Sequence, residues 1–144
     1  VVEFGGFSSG LIFYPTFMGG MAKPALDAWR LPLFMPNPSV RRGHRVEVWG
    51  CVRPGPYAFR DTHQPQLGAL QFQPSGSSQW RTLRSVPANG SCYFDLHLRF
   101  PSSGQIRLTY TYPANDLNLR PTLGNAYFDP LAPQSSRTIS VRIH

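Results

Sequence analysis

Two cysteines and four histidines are the residues of this chain that could carry metal chemistry. Cys92 precedes His97 at a spacing that mononuclear copper sites use, and His44 could supply a second imidazole. No methionine follows His97, and residues 92 and 97 would lie on opposite faces of a regular strand because an odd number separates them. We therefore predict no metal site and no cofactor.

The same cysteines could instead form a disulfide, as an even count does in an oxidising compartment. Cys51 and Cys92 fall on predicted strands that should be neighbours. The alternation opposes this pairing, because Cys92 shares a face with core residues such as Phe94 whereas Cys51 does not. A bulge near Gly50 would reconcile the two positions. We predict the Cys51–Cys92 bridge, with two separate thiols as the alternative.

Catalysis by a nucleophile needs a serine or cysteine brought together with a histidine and a carboxylate. Two long predicted loops carry candidates, with Asp61 and His63 in residues 54–66 and two further aspartates in residues 113–134. No nucleophile-elbow motif is present, and the chain has only seven acidic residues from which to pair carboxylates. We predict that the protein is not an enzyme.

Aromatic side chains on a strand face could instead bind a sugar ring by stacking. Trp49 and Tyr93 have outward positions on strands that should pair, with Arg45 and Arg99 nearby. These four residues are a candidate glycan platform. The interpretation that we favour is that the N-terminal segment packs over this face and covers Trp49.

The net charge of +7 favours an anionic partner, and of the 14 basic residues all but Lys23 are arginine. The codon bias of a GC-rich genome explains this excess more simply. The arginines are scattered along the sequence, with only Arg41 and Arg42 adjacent and Arg45 close by. Without a basic run interleaved with aromatics, we predict no sequence-specific nucleic-acid binding, and an acidic glycan stays open as a partner.

Residues 90–112 show the clearest structural pattern of the chain. Apolar and polar side chains alternate on both sides of a turn at residues 101–104, which predicts two antiparallel strands. The predicted core positions are Cys92, Phe94, Leu96, Leu98, Phe100, Ile106, Leu108, Tyr110 and Tyr112.

Shorter segments with the same alternation surround this pair, at residues 45–53, 70–73, 79–86 and 138–143. Asn89-Gly90 marks a hairpin-type turn, and with Ser91 it also matches an N-glycosylation acceptor; we predict the turn. Short strands separated by turns are typical of a sandwich. The fold class that we predict is an all-β, Ig-like antiparallel β-sandwich of about seven strands with an apolar N-terminal extension.

The extension has a different composition, since residues 4–22 carry no charge. Frequent glycine and Pro15 make it a poor helix, so we do not predict a transmembrane span. It could pack on its own domain, insert as an arm into a partner, or lie on a membrane surface. Residues 24–31 can form a short helix and residues 33–39 an extended linker. We place the domain boundary near Pro38, giving an arm at 1–38 and a sandwich at 39–144. The candidate docking residues of the arm are Phe4, Phe7, Leu11, Ile12, Phe13, Tyr14, Phe17, Met18 and Met21.

Over residues 39–144 the order of these motifs resembles the bacterial Ig-like repeats of secreted, high-GC, often actinobacterial surface proteins. The resemblance is carried by an Arg42-Gly43 turn before a Val-x-Val strand, by Trp80-Arg81-Thr82 after a Ser/Gly turn, and by a Gly-x-x-x-Phe strand from Gly90. It implies an extracellular or cell-surface location and structural or adhesive roles, with no catalytic residues to carry over. The arm and the two long loops depart from the repeats.

Together these features predict a non-catalytic structural or interaction module. We expect a subunit of a filament or cell-envelope assembly that docks on protein partners through its arm. The alternative is a glycan-binding module of a secreted protein. No secretory signal is visible, so an exported form would need a segment upstream of Val1.

Overall fold

Two β-sheets pack face to face in the computed structural model, which describes residues 12–13, 21–22, 28–88, 90–113 and 133–144. The strands are β1 (Ile12–Phe13), β2 (Met21–Ala22), β3 (Leu33–Phe34), β4 (Ser39–Val40), β5 (Val46–Cys51), β6 (Leu67–Pro74), β7 (Arg81–Pro87), β8 (Tyr93–Leu98), β9 (Gly104–Thr111), β10 (Pro133–Ser135) and β11 (Ile139–Ile143), and helix α1 spans Pro54–Thr62. The large sheet has the order β4-β11-β9-β6-β7, with β10 also on β9, and the small sheet has the order β3-β5-β8. Strands β1 and β2 pair separately.

The predicted all-β sandwich is confirmed, with more strands than the seven expected because several are only two or three residues long. All pairs are antiparallel except β4 with β11, which is parallel. The core lies between the sheets, where the inward positions of β5, β6 and β9 are buried. These are Val46, Val48, Leu70, Phe72, Ile106, Leu108 and Tyr110.

The strands on either side of residues 101–104 do not pair with each other. β8 pairs with β5 in the small sheet, whereas β9 pairs with β6 in the large sheet. The turn is therefore a crossing between sheets, and the predicted hairpin is wrong although both strands exist. The same applies to the turn predicted at Asn89-Gly90, since β7 and β8 also lie in different sheets. Asn89 itself lies outside the described residues.

The first long loop predicted, residues 54–66, contains helix α1. Pro54 begins the helix, where a missing N–H costs no hydrogen bond. His63 ends it in the left-handed conformation (φ 54°), with its N–H donating to the Phe59 carbonyl oxygen at 2.7 Å. Pro54-Gly55-Pro56, at the start of the segment predicted as a loop, thus begins a helix. The second long loop falls largely in residues 114–132, outside the described part, and β10 follows it.

The segment before β4 contributes to the core. Residues 28–30 are helical, and after them Leu31, Leu33 and Met35 are buried. β3 lies antiparallel beside β5, with Leu33 opposite Gly50 and Phe34 opposite Trp49. The predicted linker at 33–39 is therefore partly a strand of the small sheet. Among the described residues, no helix is long and apolar enough to cross a membrane.

Candidate functional site

Five aromatic side chains converge on the outer side of the small sheet and form what we call the aromatic face: Trp29, Phe34, Trp49, Tyr57 and Tyr93. Four of them are exposed, from 39% for Trp29 to 53% for Tyr93, and Trp49 is half-buried. A large apolar side chain usually loses most of its surface on folding, so several in one place mark a contact surface.

Three chain segments place these side chains together. On β5 the alternation buries Val46 and Val48 and turns Trp49 outward. Strand β3 sets Phe34 directly beside Trp49 in the register. On the other side of β5, the Tyr93 ring at the start of β8 lies 5.4 Å from the Trp49 ring, centroid to centroid, tilted by 30°. The face therefore crosses all three strands of the small sheet.

Two open grooves of about 280 Å³ each lie in the aromatic face. The first runs between Phe34 and Trp49. It is bordered by Arg137, whose guanidinium donates to the Leu33 carbonyl oxygen at 3.2 Å. Its wall also includes Ala28, the first residue of the described range 28–88. Both grooves are near the lower limit of ligand-pocket volumes.

The second groove lies between Trp29, Tyr57 and Tyr93, with Cys92 in its wall. The guanidinium carbon of Arg53 lies 5.3 Å from the centroid of the Trp29 ring, a cation–π contact. The Nε atom of Arg53 is buried and has no hydrogen-bond partner among the described residues. This groove therefore joins aromatic walls to a positive charge.

A disulfide joins Cys51 and Cys92, with Cα atoms 4.8 Å apart, and confirms the predicted bridge. The bulge proposed near Gly50 is absent, since the β5–β8 register is regular from Val46 to Cys51. Cys92 lies just before β8, where strand alternation no longer fixes its direction. Its sulfur is bonded to Cys51 and is thus not a thiolate metal ligand.

The predicted glycan platform is only partly brought together. Trp49 and Tyr93 are in contact, as described above. Arg45 precedes β5 and Arg99 follows β8, at the opposite end of the paired strands from Tyr93. Glu47 and Asp95 occupy exposed positions between the aromatic rings and these arginines. The four residues therefore lie at the two ends of the β5–β8 pair.

The arm residues predicted to dock fall almost entirely outside the description. Of the nine, only Ile12, Phe13 and Met21 lie in described strands, β1 and β2, and of these only the backbone pairing is described. Whether the arm covers Trp49 depends on residues 1–27 and stays a prediction. The sequence did not indicate Trp29, Phe34 or Tyr57 as site residues, because none of them lies in a segment with strand alternation.

Two tyrosine hydroxyls of the large sheet attach helix α1, at Asp61, and the segment that follows it, at Gln66. The Tyr110 hydroxyl donates to Gln66 Oε1 at 2.7 Å, and the Tyr112 hydroxyl donates to Asp61 Oδ2 at 2.9 Å. Burial raises the pKa of both phenols, with the neighbouring Tyr112 adding to the effect at Tyr110 and the Asp61 carboxylate adding to it at Tyr112. Asp61, considered above as a catalytic carboxylate, thus has a structural partner.

Other candidates for chemistry do not assemble in the described residues. No group of three or more His, Cys, Asp or Glu side chains there could hold a metal ion. Asp116 and Asp129 lie outside the described ranges. In comparisons with known proteins, no family model matches the chain, and a search of curated protein sequences finds no match either.

Proposed function

We propose that the protein is a non-catalytic extracellular interaction module that joins copies of itself, or like subunits, into an assembly. Docking uses the aromatic face together with the apolar arm at residues 4–22. The observation that carries this proposal is the convergence of Trp29, Phe34, Tyr57 and Tyr93, all exposed, around one three-stranded sheet.

Tryptophan and tyrosine supply a large share of the energy at protein interfaces, since they bury much area for little lost side-chain entropy. Phe34, 51% exposed, has no polar group to satisfy in water. Arg137 borders one groove and Arg53 the other, which gives a polar margin to an apolar centre. Protein interfaces have this organisation, an apolar core within a polar rim.

The sequence joins the arm to this face without an intervening domain. Ala28 borders the first groove and Trp29 the second, so the chain arrives from residues 1–27 at the centre of the aromatic face. Residues 4–22 of the arm carry no charge and can be buried against aromatic side chains at no cost in charge desolvation. A neighbouring copy therefore offers a chemically suitable partner surface.

The test measures the mass of the full chain by light scattering after size exclusion, across a range of concentrations. The double variant F34S/Y93S removes two exposed apolar side chains from the face. The matched control is L67S, because Leu67 is 59% exposed at the start of β6, in the large sheet. We expect association in the unmodified chain and in L67S and a monomer in F34S/Y93S. A monomeric unmodified chain, or equal association of all three, would contradict the proposal.

A glycan-binding module is the second candidate function, favoured by the contact between the half-buried Trp49 ring and the exposed Tyr93 ring. Two adjacent rings can stack on successive sugars. Titration with neutral and acidic polysaccharides, followed by tryptophan fluorescence, tests it. We expect a saturable change that W49A abolishes, and no change with any polysaccharide would remove this candidate.

A further inference from the structure

Five arginines collect at the end of the sandwich where β5 begins and β8 ends. Arg41, Arg42 and Arg45 lie in the connection from β4 to β5, Arg99 follows β8, and Arg142 lies on β11. All five are exposed. We call this group the basic pole. The sequence alone does not reveal this group, because its five positions come from three segments that are far apart along the chain.

Strand pairing brings these segments together. Arg45 and Arg99 come directly beyond the last cross-strand pair, Val46 with Leu98. Arg142 is opposite Ser39 in the β4–β11 pair, and the backbone N–H of Arg42 donates to the His144 carbonyl oxygen at 3.0 Å. The pole thus spans the edges of both sheets, which packed sheets set about 10 Å apart.

Within the part of the chain that the structure describes, the arginines of the basic pole have no acidic partner. Among the described residues, ion pairs join Arg60 to Asp61 and His97 to Asp95, and none involves the pole. The nearest acid along β5 is Glu47, whose cross-strand neighbour is His97. Arg45 and Arg99 occupy the positions just beyond the last pair of β5 and β8, where like charges opposite each other are expected to repel. A polyanion placed on the pole would offset that repulsion.

The shape of the pole indicates what kind of anion it would bind. The grooves described above lie in the aromatic face, and neither is lined by an arginine of the basic pole. A surface of spaced guanidinium groups suits a polymer that carries an oxyanion on each repeat, since each guanidinium can hold a carboxylate, sulfate or phosphate through two hydrogen bonds.

We propose that the basic pole binds an anionic polysaccharide, a chain of sugars that bear carboxylate or sulfate groups. Binding there is independent of the aromatic face. The pole lies at the other end of β5 and β8 from Tyr93, and Glu47 and Asp95 separate the two surfaces with negative charge. Docking of subunits through the face would leave the pole free to hold an acidic polymer.

The test uses the full chain and four probes at low ionic strength: polygalacturonate for carboxylates, heparin for sulfates, a DNA duplex for phosphates, and dextran as the neutral polymer. Calorimetry or surface binding gives the affinity for each. The variant R45E/R99E reverses two charges at the pole. The matched control R81E/R84E reverses two exposed charges on β7 and leaves the same net charge.

We expect the unmodified chain to bind at least one acidic polysaccharide and not dextran, with R45E/R99E weaker by about tenfold or more and R81E/R84E unchanged. A second pole variant, R42Q/R142Q, should weaken binding too. It removes two charges without reversing them, so it still tests the pole if R45E/R99E does not fold. Equal losses in the pole and control variants would assign binding to net charge alone and overturn the proposal. So would the absence of binding, or tighter binding of a DNA duplex than of either polysaccharide.

Discussion

The outer surfaces of the two sheets differ in how their side chains are used. On the large sheet, Arg107 Nε donates to Gln71 Oε1 at 2.9 Å, and its guanidinium lies 4.2 Å from the Trp80 ring centroid. On the small sheet, Phe34 and Tyr93 expose about half of their surface. Polar groups that already bond to one another offer few free atoms to a partner, whereas exposed aromatic rings offer a large apolar area. Leu67 is the exception on the large sheet, at 59% exposed, and the difference supports the proposal that recognition uses the small sheet.

The two sheets are also stabilised by different means. The small sheet has three strands, of which β3 is two residues long, and the disulfide joins its other two strands. The large sheet buries Leu70, Phe72 and Ile106 fully and holds helix α1 through the hydrogen bond from the Tyr112 hydroxyl to Asp61. Separate substitutions should therefore weaken each sheet by a separate mechanism.

The largest effect is expected from removing the disulfide in the double variant C51S/C92S. The bridge closes a loop with a sequence separation of 41 residues, and disulfides of this kind stabilise by about 2–4 kcal/mol. Urea unfolding measures the free energy. Amide hydrogen exchange should show faster exchange in β5 and β8 than in β6 and β9. A loss below about 0.5 kcal/mol, or uniform exchange, would mean that the small sheet does not depend on the bridge.

A smaller effect is expected from Tyr112→Phe, which removes the donor to Asp61 and leaves a partly buried carboxylate short of a hydrogen bond. The free energy of unfolding should fall by about 1–2 kcal/mol. The same change at the exposed Tyr93, Tyr93→Phe, is the control on the small sheet and should leave it unchanged. Equal losses in both variants would contradict the assignment of Tyr112 as the attachment of the helix.

The pH dependence of Tyr112→Phe sharpens this result. The folded chain holds the phenol proton more tightly than the unfolded chain, because the pKa is raised by burial. The associated stability is complete below the unfolded pKa of about 10 and is lost as the pH rises above it. We expect stability to fall above that pH in the unmodified chain and to fall less steeply in Tyr112→Phe.

The smallest effect is a gain in stability from Arg99→Glu. It replaces a repelling pair beside Arg45 by an attracting one, worth about 0.2–1 kcal/mol at low salt and less at high salt. Urea unfolding at two ionic strengths measures it, with Arg84→Glu on β7 as the control. Destabilisation of Arg99→Glu at low salt would show that the two arginines do not repel. A variant that is more stable yet no longer binds a polyanion would separate folding from binding at the pole.

Alternation alone predicted where the strands lie, because a pleated strand buries every second side chain, as in Ile106, Leu108 and Tyr110. It could not predict which strands pair. β8 and β9 alternate equally well in opposite sheets, and the turn between them has no residue that distinguishes a hairpin from a crossing. The helix at 54–62 was missed because proline marks both loops and helix starts.

The candidate surfaces were less predictable than the fold. Trp49 and Tyr93 could be paired from strand positions, but Trp29, Phe34 and Tyr57 join them only through the helical residues 28–30, β3 and α1, which the alternation does not reveal. The basic pole depends on the parallel pairing of β4 with β11, and no local sequence pattern predicts that pairing. The topology determines which distant segments of the chain lie close together, and a single sequence carries little information about it.

The path by which the arm joins the sandwich has a mechanical consequence. The carbonyl oxygens of Arg30 and Pro32 accept hydrogen bonds from the backbone N–H groups of Arg53, which follows β5, and of Cys51, the last residue of β5. Tension on the arm directed away from the sheet would break these bonds in sequence, starting at Arg30, and would free residues 28–38, whose fully extended length is about 35–40 Å. This release would draw Leu31, Leu33 and Met35 out of the core, while the disulfide would keep β5 joined to the residue that precedes β8.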